Sequence, residues 1–590
     1  MFTPPFIVID DSRAGGTSLT FTNPRAIITA RTLDEVGPAL KAIDAATRQD
    51  GLHAAGFLAY EAGYAFEAKL RALPVGPMAT PLVWFGLFEA PAPLAHAEIE
   101  SWDTEESGTV ENFTLDRNEA AFSDEIAAIH RFLESGDCYQ INHTMRGSFT
   151  LKGSPRGLYA RLRPGQRVAH GALIETGDFS VLSWSPELFL ERTGTKLTTR
   201  PMKGTASRGL TLATDDEAAA ALQADEKCRA ENLMIVDLLR NDLGRIARPG
   251  SVRVDSLFDV ERYLRFNTLT STIHGTIDPE RGLAQILPAL FPCGSVTGAP
   301  KIHAMELIAD LEGRPRGVYT GSIGHVAPGG DFSFNVAIRT AVIDADGHGV
   351  LGVGAGIVAD SDARAEYRES ALKARFLTDP VPDFELFETT RFDPGKGMML
   401  GARHLDRLAQ SAAYFGFPFD RAAIENALAA ITSDAPLRVR FALRHDGKLT
   451  IQSRPLVSQD QPASGQIGWA DQVMSSTDPF LFHKTSHRGL YNAALEDAKD
   501  RDLLDLIFTN ERGEVTEGAR TSLFVDRGTG LETPALACGL LPGTLRADLI
   551  AQGRAREAVL TRADVETAPA VFIGNSVMGL VRVSCANSGT

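Results

Sequence analysis

The chain has 590 residues, of which 44% are apolar and 23% charged, and its formal net charge is -16. That is too long for one hydrophobic core, and at about 100 to 200 residues per domain it predicts three or four structural units of an ordinary soluble protein. The negative balance excludes a general nucleic-acid binder and an anionic-membrane binder, since both need a basic face to neutralise phosphate.

The opening MFTPPFIVIDDSR has no basic stretch ahead of a long apolar run. No later stretch reaches the ~18 apolar residues of a membrane span. Cys138, Cys228, Cys293, Cys538 and Cys585 are scattered with no C-x-x-C pair. A reducing cytoplasm is therefore expected, and no thiolate metal site. There is no fixed-period repeat and no low-complexity block.

Alternating or β-branched runs, FIVID, AIITA, FLAYEA and LVWFGLF, predict strands, and LDEVGPALKAIDAATRQ and AFSDEIAAIHRFLESG predict helices. The second helix stops at Gly136, after which GDCYQIN is strand-like. Residues 216–243 read as helical, and AENLMIVDLLRNDLG within them is expected to bury Leu233, Met234, Val236 and Leu239 with Glu231 at the polar start. GVYTGSIGHV and FNVAIRTAVI predict strands, and DARAEYRESALKARFL predicts an amphipathic helix. In TDPVPDF, residues 378–384, two prolines break that helix and mark the main boundary.

Several clusters in the first half suggest chemistry. Glu187 follows a proline at the mouth of a strand in SWSPELFLERTG; an isolated glutamate there is most often solvent-exposed, but buried near a leaving group it becomes a general acid. Lys203 follows in TTRPMKGTASRG; alone it reads as a solvated charge, but a hairpin joining the two segments brings acid and amine to one cleft. Glu366 and Glu369 stand at i and i+3 in AEYRES, on one helix face. Salt-bridged faces explain most such carboxylates; if the helix of Glu231 and this one present theirs to one pocket without histidine or cysteine partners, a hard ion such as Mg²⁺ is favoured instead. FPCGSVTGAPK and GVGAGIVADS carry glycines that let N–H groups converge on an anion, and Arg339 in AIRT offers a fork for a carboxylate. GVGAG does not have the G-x-G-x-x-G spacing of a dinucleotide fold.

SGDCYQIN, SWSPE, TRPMKGT, AENLMIVDLLRNDLGR, FPCGSVTGAPK, YTGSIG, AIRT, GAGIVADS and AEYRES, in this order, resemble the chorismate-utilising enzymes, most closely the aminodeoxychorismate synthase component I group, from about residue 50 to about residue 377. The resemblance implies a β-sandwich flanked by helices with Mg²⁺-bound chorismate in a deep cleft. It implies Glu231 and Glu369 as metal ligands with Glu366 beside them, and Glu187 as the acid for the departing 4-hydroxyl. Arg339, Thr297, Gly298, Gly354, Ala355 and Gly356 are implied as the carboxylate clamp. Lys203 is implied as a nucleophile that adds to chorismate and is displaced by ammonia; anthranilate synthases have alanine there, and isochorismate synthases use a lysine as a base for water. Relatives carry a histidine where RFNTLTST places Asn267 and Thr268, and no replacement is evident.

Beyond residue 384, FELFETTRF, GARHLDRLAQSAAYFGF, FHKTSHRGLYNAAL, GEVTEGARTSLFV and GLLPGTLRADLI contain the parts a phosphate-bearing pyridine cofactor needs. PGTLRADLI puts Gly543 and Thr544 at a helix start, and Glu517 can hold a ring nitrogen protonated. The segments resemble the fold-type IV pyridoxal-phosphate enzymes, which include branched-chain and D-amino acid aminotransferases and aminodeoxychorismate lyase. That resemblance implies Lys484 as the cofactor-bearing lysine, Glu517 as the pyridine partner, and Arg407 with Thr544 as phosphate contacts. The family's usual strand before F-E-T is missing or shortened.

The expected fold class is α+β throughout. A chorismate-enzyme sandwich domain spans residues 1–377, a linker 378–384, and a two-subdomain fold-type IV domain 385–590. Motifs alone leave lyase and aminotransferase both open for the second half; the fusion selects the lyase, because the two steps then run consecutively to 4-aminobenzoate for folate. No G-x-C-x-G glutaminase loop is present, so a separate glutamine amidotransferase subunit is the expected ammonia source. A homodimer through the second half is also implied. The competing expectations are anthranilate or isochorismate formation fused to a transaminase, and a degenerate scaffold.

Overall fold

The computed structural model describes residues 2–586 apart from 458–459, 461–464 and 529. The chain forms two compact units: Met1–Ser207 with Ala219–Pro382, and Arg208–Ala218 with Asp383–Thr590. The division at Pro382 falls within the proline-broken TDPVPDF stretch. No reading of the sequence signalled that Arg208–Ala218 packs with the second unit.

The first unit is built on two ten-stranded sheets. In one, Gln140–Gly153 pairs along its length with His348–Ile357, from His348 opposite Thr150 to Ile357 opposite Ile141. This register brings the glycines of GVGAGI against the strand that begins at Gln140. In the other sheet, Leu188–Thr193 forms a hairpin with Lys196–Arg200. Met202–Ser207 is not the partner of the Glu187 segment. It continues past Pro201 along the strand Phe266–Thr276, which also pairs with Lys196–Arg200. The two sheets bury large apolar groups between and around them, including Phe57, Phe85, Trp184, Phe189 and Phe334.

Most strands and helices lie where alternation and helical periodicity put them. FLAYEA departs: the strand ends at Leu58 and a 3-10 turn, Tyr60–Phe66, follows. Residues 216–243 form two helices, Leu212–Ala224 and Glu226–Gly244, because Asp225 caps the second by accepting a hydrogen bond from the Cys228 N–H. Glu231 therefore stands in the second turn, not at the start. Val236 and Leu239 are buried as expected, whereas Leu233 is 43% exposed and Met234 half-buried. The helix meets the sheet on a narrower face than its apolar residues suggest.

The second unit has a four-stranded sheet centred on Leu386–Asp393 and Leu437–Leu443, and an eight-stranded mixed sheet. In the larger sheet Gly465–Met474 runs parallel to both Asp505–Asn510 and Gly579–Cys585. Gly401–Phe415, the helix of RHLDRLAQSA, packs its buried His404, Leu405, Arg407 and Leu408 inward. Arg208 places its guanidinium 4.1 Å from the centre of the Tyr414 ring, and the Tyr414 hydroxyl donates to the Gly209 carbonyl at 2.8 Å. Asp215, fully buried, accepts from Arg208 Nε at 2.6 Å and from the Gly209 N–H at 3.0 Å.

Candidate active sites

In the first unit a cavity of about 340 Å³ is lined by Glu187, Lys203, Glu231, Arg339, Glu366 and Glu369, among others. Lys203 reaches it through a bulge: the register with Phe266–Thr276 shifts between Lys203 and Thr205, and Gly204 takes a left-handed φ of 79°. Burial draws the Lys203 amine below its ordinary value; the Glu187 carboxylate opposes this and the Lys373 ammonium assists it. Glu187 is buried, and burial raises its carboxyl to about 7 against the Ser295 hydroxyl, the Lys203 charge and the Met202 N–H. An acid and an amine are thus both pushed toward neutrality in one cavity, the pairing that lets one give a proton while the other attacks.

Two buried polar atoms of the cavity, Glu187 Oε1 and Gln140 Nε2, have no hydrogen-bond partner among the described residues. A polar ligand would satisfy both. Gly354, Ala355 and Gly356 form part of the wall. A Cβ on Gly356 would lie 2.6 Å from Gln140 Nε2 and 3.0 Å from Lys203 Nζ, so only glycine leaves that space open. Arg339, in the left-handed region at φ 49°, lies over the Phe266 ring at 4.5 Å and donates to Gln166 Oε1 at 2.9 Å. Burial lowers its guanidinium to about 10, as expected of a cation awaiting an anion. Thr297 and Gly298 do not line the cavity; Ser295 and Val296 do. The Thr297 hydroxyl is turned to the carbonyls of Cys293 and Gly294, and Gly298 pairs with Ile141.

The three glutamates expected to hold a metal share this cavity. Burial raises Glu231 and Glu366, and the charge of Glu369 adds to the rise at Glu366. Burial works against the Glu369 carboxylate as well, but Lys373, 2.9 Å away, outweighs it and keeps the group below its ordinary value. Anionic oxygen donors repelling one another suit a hard divalent cation. They are gathered around the cavity rather than drawn to one point: among the described residues, ligand atoms of three groups come within 4.8 Å only in the exposed turn of Asp344, Asp346 and His348. Lys373, which also donates to the Gly354 carbonyl at 2.9 Å, was not singled out from sequence. Of the Asn267 and Thr268 pair, Thr268 lines the cavity and its hydroxyl donates to the Gly204 carbonyl at 3.0 Å.

In the second unit a cavity of about 320 Å³ surrounds Lys484. Burial, with the charges of Arg407 and Arg488, lowers its amine to about 7. Burial likewise raises Glu517 to about 7. Glu517 Oε1 accepts from Tyr491 Oη at 2.8 Å and from the Leu541 N–H at 3.1 Å, so Oε2 is the atom left for a ring N–H. At one end of the cavity Gly543 caps the helix Thr544–Ala551, and a Cβ on Gly543 would lie 2.4 Å from Ser522 Oγ. Arg407, Ser522, Thr544 and Ser576 line the same cavity, and with the helix N-terminus they make a donor set that fits a phosphate.

Arg407 does not stand alone. Its Nε and Nη2 pair with both oxygens of buried Glu388 at 2.9 and 2.6 Å, and its Nη1 donates to the Pro542 carbonyl at 3.0 Å. His404 Nδ1 meets the same carboxylate at 2.7 Å, while Nε2 meets Ser576 Oγ at 2.9 Å. Glu388 lies in the quoted FELFETTRF and His404 in GARHLDRLAQ, but neither spacing reveals that they lock the arginine.

The description "chorismate binding enzyme" matches residues 5–379 and "amino-transferase class IV" matches residues 385–585. Anthranilate synthase component 1 of Streptomyces coelicolor is 41% identical over 300 residues, which are 50% of this chain and 58% of that one. Aminodeoxychorismate synthase component 1 of Bacillus subtilis is 35% identical over 354 residues, 54% of this chain and 75% of that one. Among solved structures, anthranilate synthase component I of Streptococcus pneumoniae is 26% identical with a TM-score of 0.53, covering 64% of this chain and 93% of that one. The chain is thus a member of the chorismate-binding enzyme family, and an aminotransferase class IV domain follows the chorismate-binding domain in the same polypeptide.

Proposed function

We propose that the first site converts chorismate to 4-amino-4-deoxychorismate and that the second eliminates pyruvate from that product to leave 4-aminobenzoate. The observation that carries this reading is Lys203 in the same cavity as protonatable Glu187, in a chain that also holds Lys484 opposite Glu517. The Lys203 amine forms a C–N bond to the ring as the C4–O bond breaks, and Glu187 supplies the proton with which hydroxide leaves as water. Ammonia then takes the lysine's place, which regenerates both groups. Glu231, Glu366 and Glu369 would hold Mg²⁺, which would supply positive charge for a substrate carboxylate, and Arg339 binds another anionic group.

In the second site Lys484 would hold pyridoxal phosphate, with Glu517 at the pyridine nitrogen and the Arg407, Gly543 and Thr544 end at the phosphate. The bound cofactor supplies an electron sink. The amine of Lys484, at about 7, takes up the ring proton lost as the product aromatises. Nitrogen would come from a separate glutamine amidotransferase subunit, in keeping with the component 1 names of the relatives. Anthranilate formation is the second reading, favoured by the Streptomyces coelicolor relative; the lysine at position 203 weighs against it.

The test supplies the pure protein with chorismate, Mg²⁺, ammonium and pyridoxal phosphate and identifies products by mass. 4-Aminobenzoate and pyruvate are expected. Anthranilate or isochorismate as the main product overturns the reading.

A further inference from the structure

The phosphate end accounts for only part of the positive charge around Lys484. Phe387, on the strand Leu386–Asp393, has three cations against its ring: Lys484 Nζ at 4.8 Å, Arg440 at 4.6 Å and Arg488 at 5.9 Å from the centroid. Arg440 stands opposite Thr389 in the register of that sheet, and Arg488 precedes the helix Gly489–Asp500. Arg488 is held by neutral acceptors, the Ala519 carbonyl at 2.7 Å and Asn492 Oδ1 at 3.1 Å. Arg440 faces Glu385 at 3.4 Å, while Arg438 and Arg520 line the same cavity. Burial lowers the Arg488 guanidinium against the opposing effects of Tyr491, Glu517 and Asp505, with a smaller contribution from Arg440, and Arg438 is lowered by burial and by Arg454, Arg520 and Arg440 against Asp460. Like charges held together at such a cost are characteristic of anion sites.

We propose that Arg440 and Arg488, both set against the Phe387 ring, form a carboxylate subsite that selects an amine substrate bearing a ring carboxylate in addition to its reacting group. Two guanidinium forks over one aromatic ring receive a planar carboxylate by paired N–H donation while the ring excludes water from one face. The subsite lies beside Lys484 and uses none of the groups assigned to the phosphate. It rests on the lyase reading for the identity of the substrate, 4-amino-4-deoxychorismate, but not for its preference for dicarboxylates.

The test uses the full-length protein loaded with pyridoxal phosphate. Two unreactive probes, benzene-1,3-dicarboxylate and benzoate, are titrated while the cofactor absorbance is followed, for the wild type, Arg440→Gln and Arg488→Gln. The wild type should bind the dicarboxylate at least about tenfold more tightly than benzoate. Each variant should lose about tenfold for the dicarboxylate and little for benzoate, with its cofactor spectrum unchanged. With 4-amino-4-deoxychorismate as substrate, the same variants should raise KM more than they lower kcat. Equal dicarboxylate affinity in wild type and both variants overturns the subsite. A wild type that prefers the dicarboxylate yet releases no pyruvate from 4-amino-4-deoxychorismate supports the subsite and overturns the lyase reading instead.

Discussion

The hydroxyl of Thr268 donates to the carbonyl of Gly204 at 3.0 Å, across the bulge that aims Lys203 into the cavity. A histidine would project further, whereas threonine is short enough to fasten the bulge itself. Replacing Thr268 with valine keeps the shape but leaves the carbonyl without its donor, at about 1–3 kcal/mol. Thr268→Val is expected to lower kcat for chorismate amination about tenfold with little change in KM, and Thr268→Ser to restore it. Steady-state kinetics on chorismate with ammonium check this.

Lys203→Ala should abolish amination, by on the order of 10³-fold or more. The second site is expected to keep its full rate when 4-amino-4-deoxychorismate is supplied, because every group around Lys484 is untouched. Lys484→Ala should do the reverse and let 4-amino-4-deoxychorismate accumulate. Both outcomes are read by product mass.

The pH dependence of amination follows from opposite requirements. Glu187 must carry its proton, so the rate falls as pH rises through about 7. Lys203 must be uncharged, so the rate also falls at low pH, with that limb displaced below the ordinary lysine value. A bell-shaped kcat/KM profile is expected. Glu187→Gln should lose the alkaline limb and about 10²- to 10⁴-fold in rate.

Gly356→Ala separates fold from function. The atoms its methyl would meet are the mobile ends of Gln140 and Lys203, which can swing away, so stability should fall by at most about 1 kcal/mol. The amine would be displaced from its place in the cavity, and amination should drop at least tenfold. A thermal melt and a rate measurement together decide it.

Acid stability should reflect Glu388. Burial opposes its charge, but Arg407 and His404 hold it at about 2. A folded value below the ordinary carboxylate value means that this stabilisation is complete above about 4.5 and is lost as pH falls toward 2. It is worth about 3 kcal/mol. Glu388→Gln should destabilise the second unit at neutral pH and flatten its acid transition, seen by urea titration at several pH values.

Lys203, Glu187, Lys484 and Glu517 were legible because each sits in a short motif whose neighbours also line the same cavity. What was not legible depends on register. The hairpin expected to join Glu187 to Lys203 pairs Leu188–Thr193 with Lys196–Arg200 instead. Only the pairing with Phe266–Thr276 puts Thr268 beside Gly204. Thr297 and Gly298 lie in a glycine-rich segment whose cavity-facing residues are Ser295 and Val296, a distinction set by the 3-10 turn Gly294–Val296. Lys373 caps the end of Ala363–Leu372, where the single helix expected over DARAEYRESALKARFL breaks before Arg375–Thr378, and Glu388 meets its partners His404 and Arg407 only through the packing of a strand on a helix.

The stretch Arg208–Ala218 begins five residues past Lys203 and yet belongs to the second unit. The protein is therefore not two interchangeable cassettes joined at a proline-rich seam. A fragment starting at Asp383 would lack the guanidinium that covers Tyr414, and the His483 ring stacked 4.3 Å from that tyrosine would lose its neighbour. Splitting the polypeptide into working halves would mean supplying residues 208–218 in trans, or reordering the chain so that they travel with Lys484.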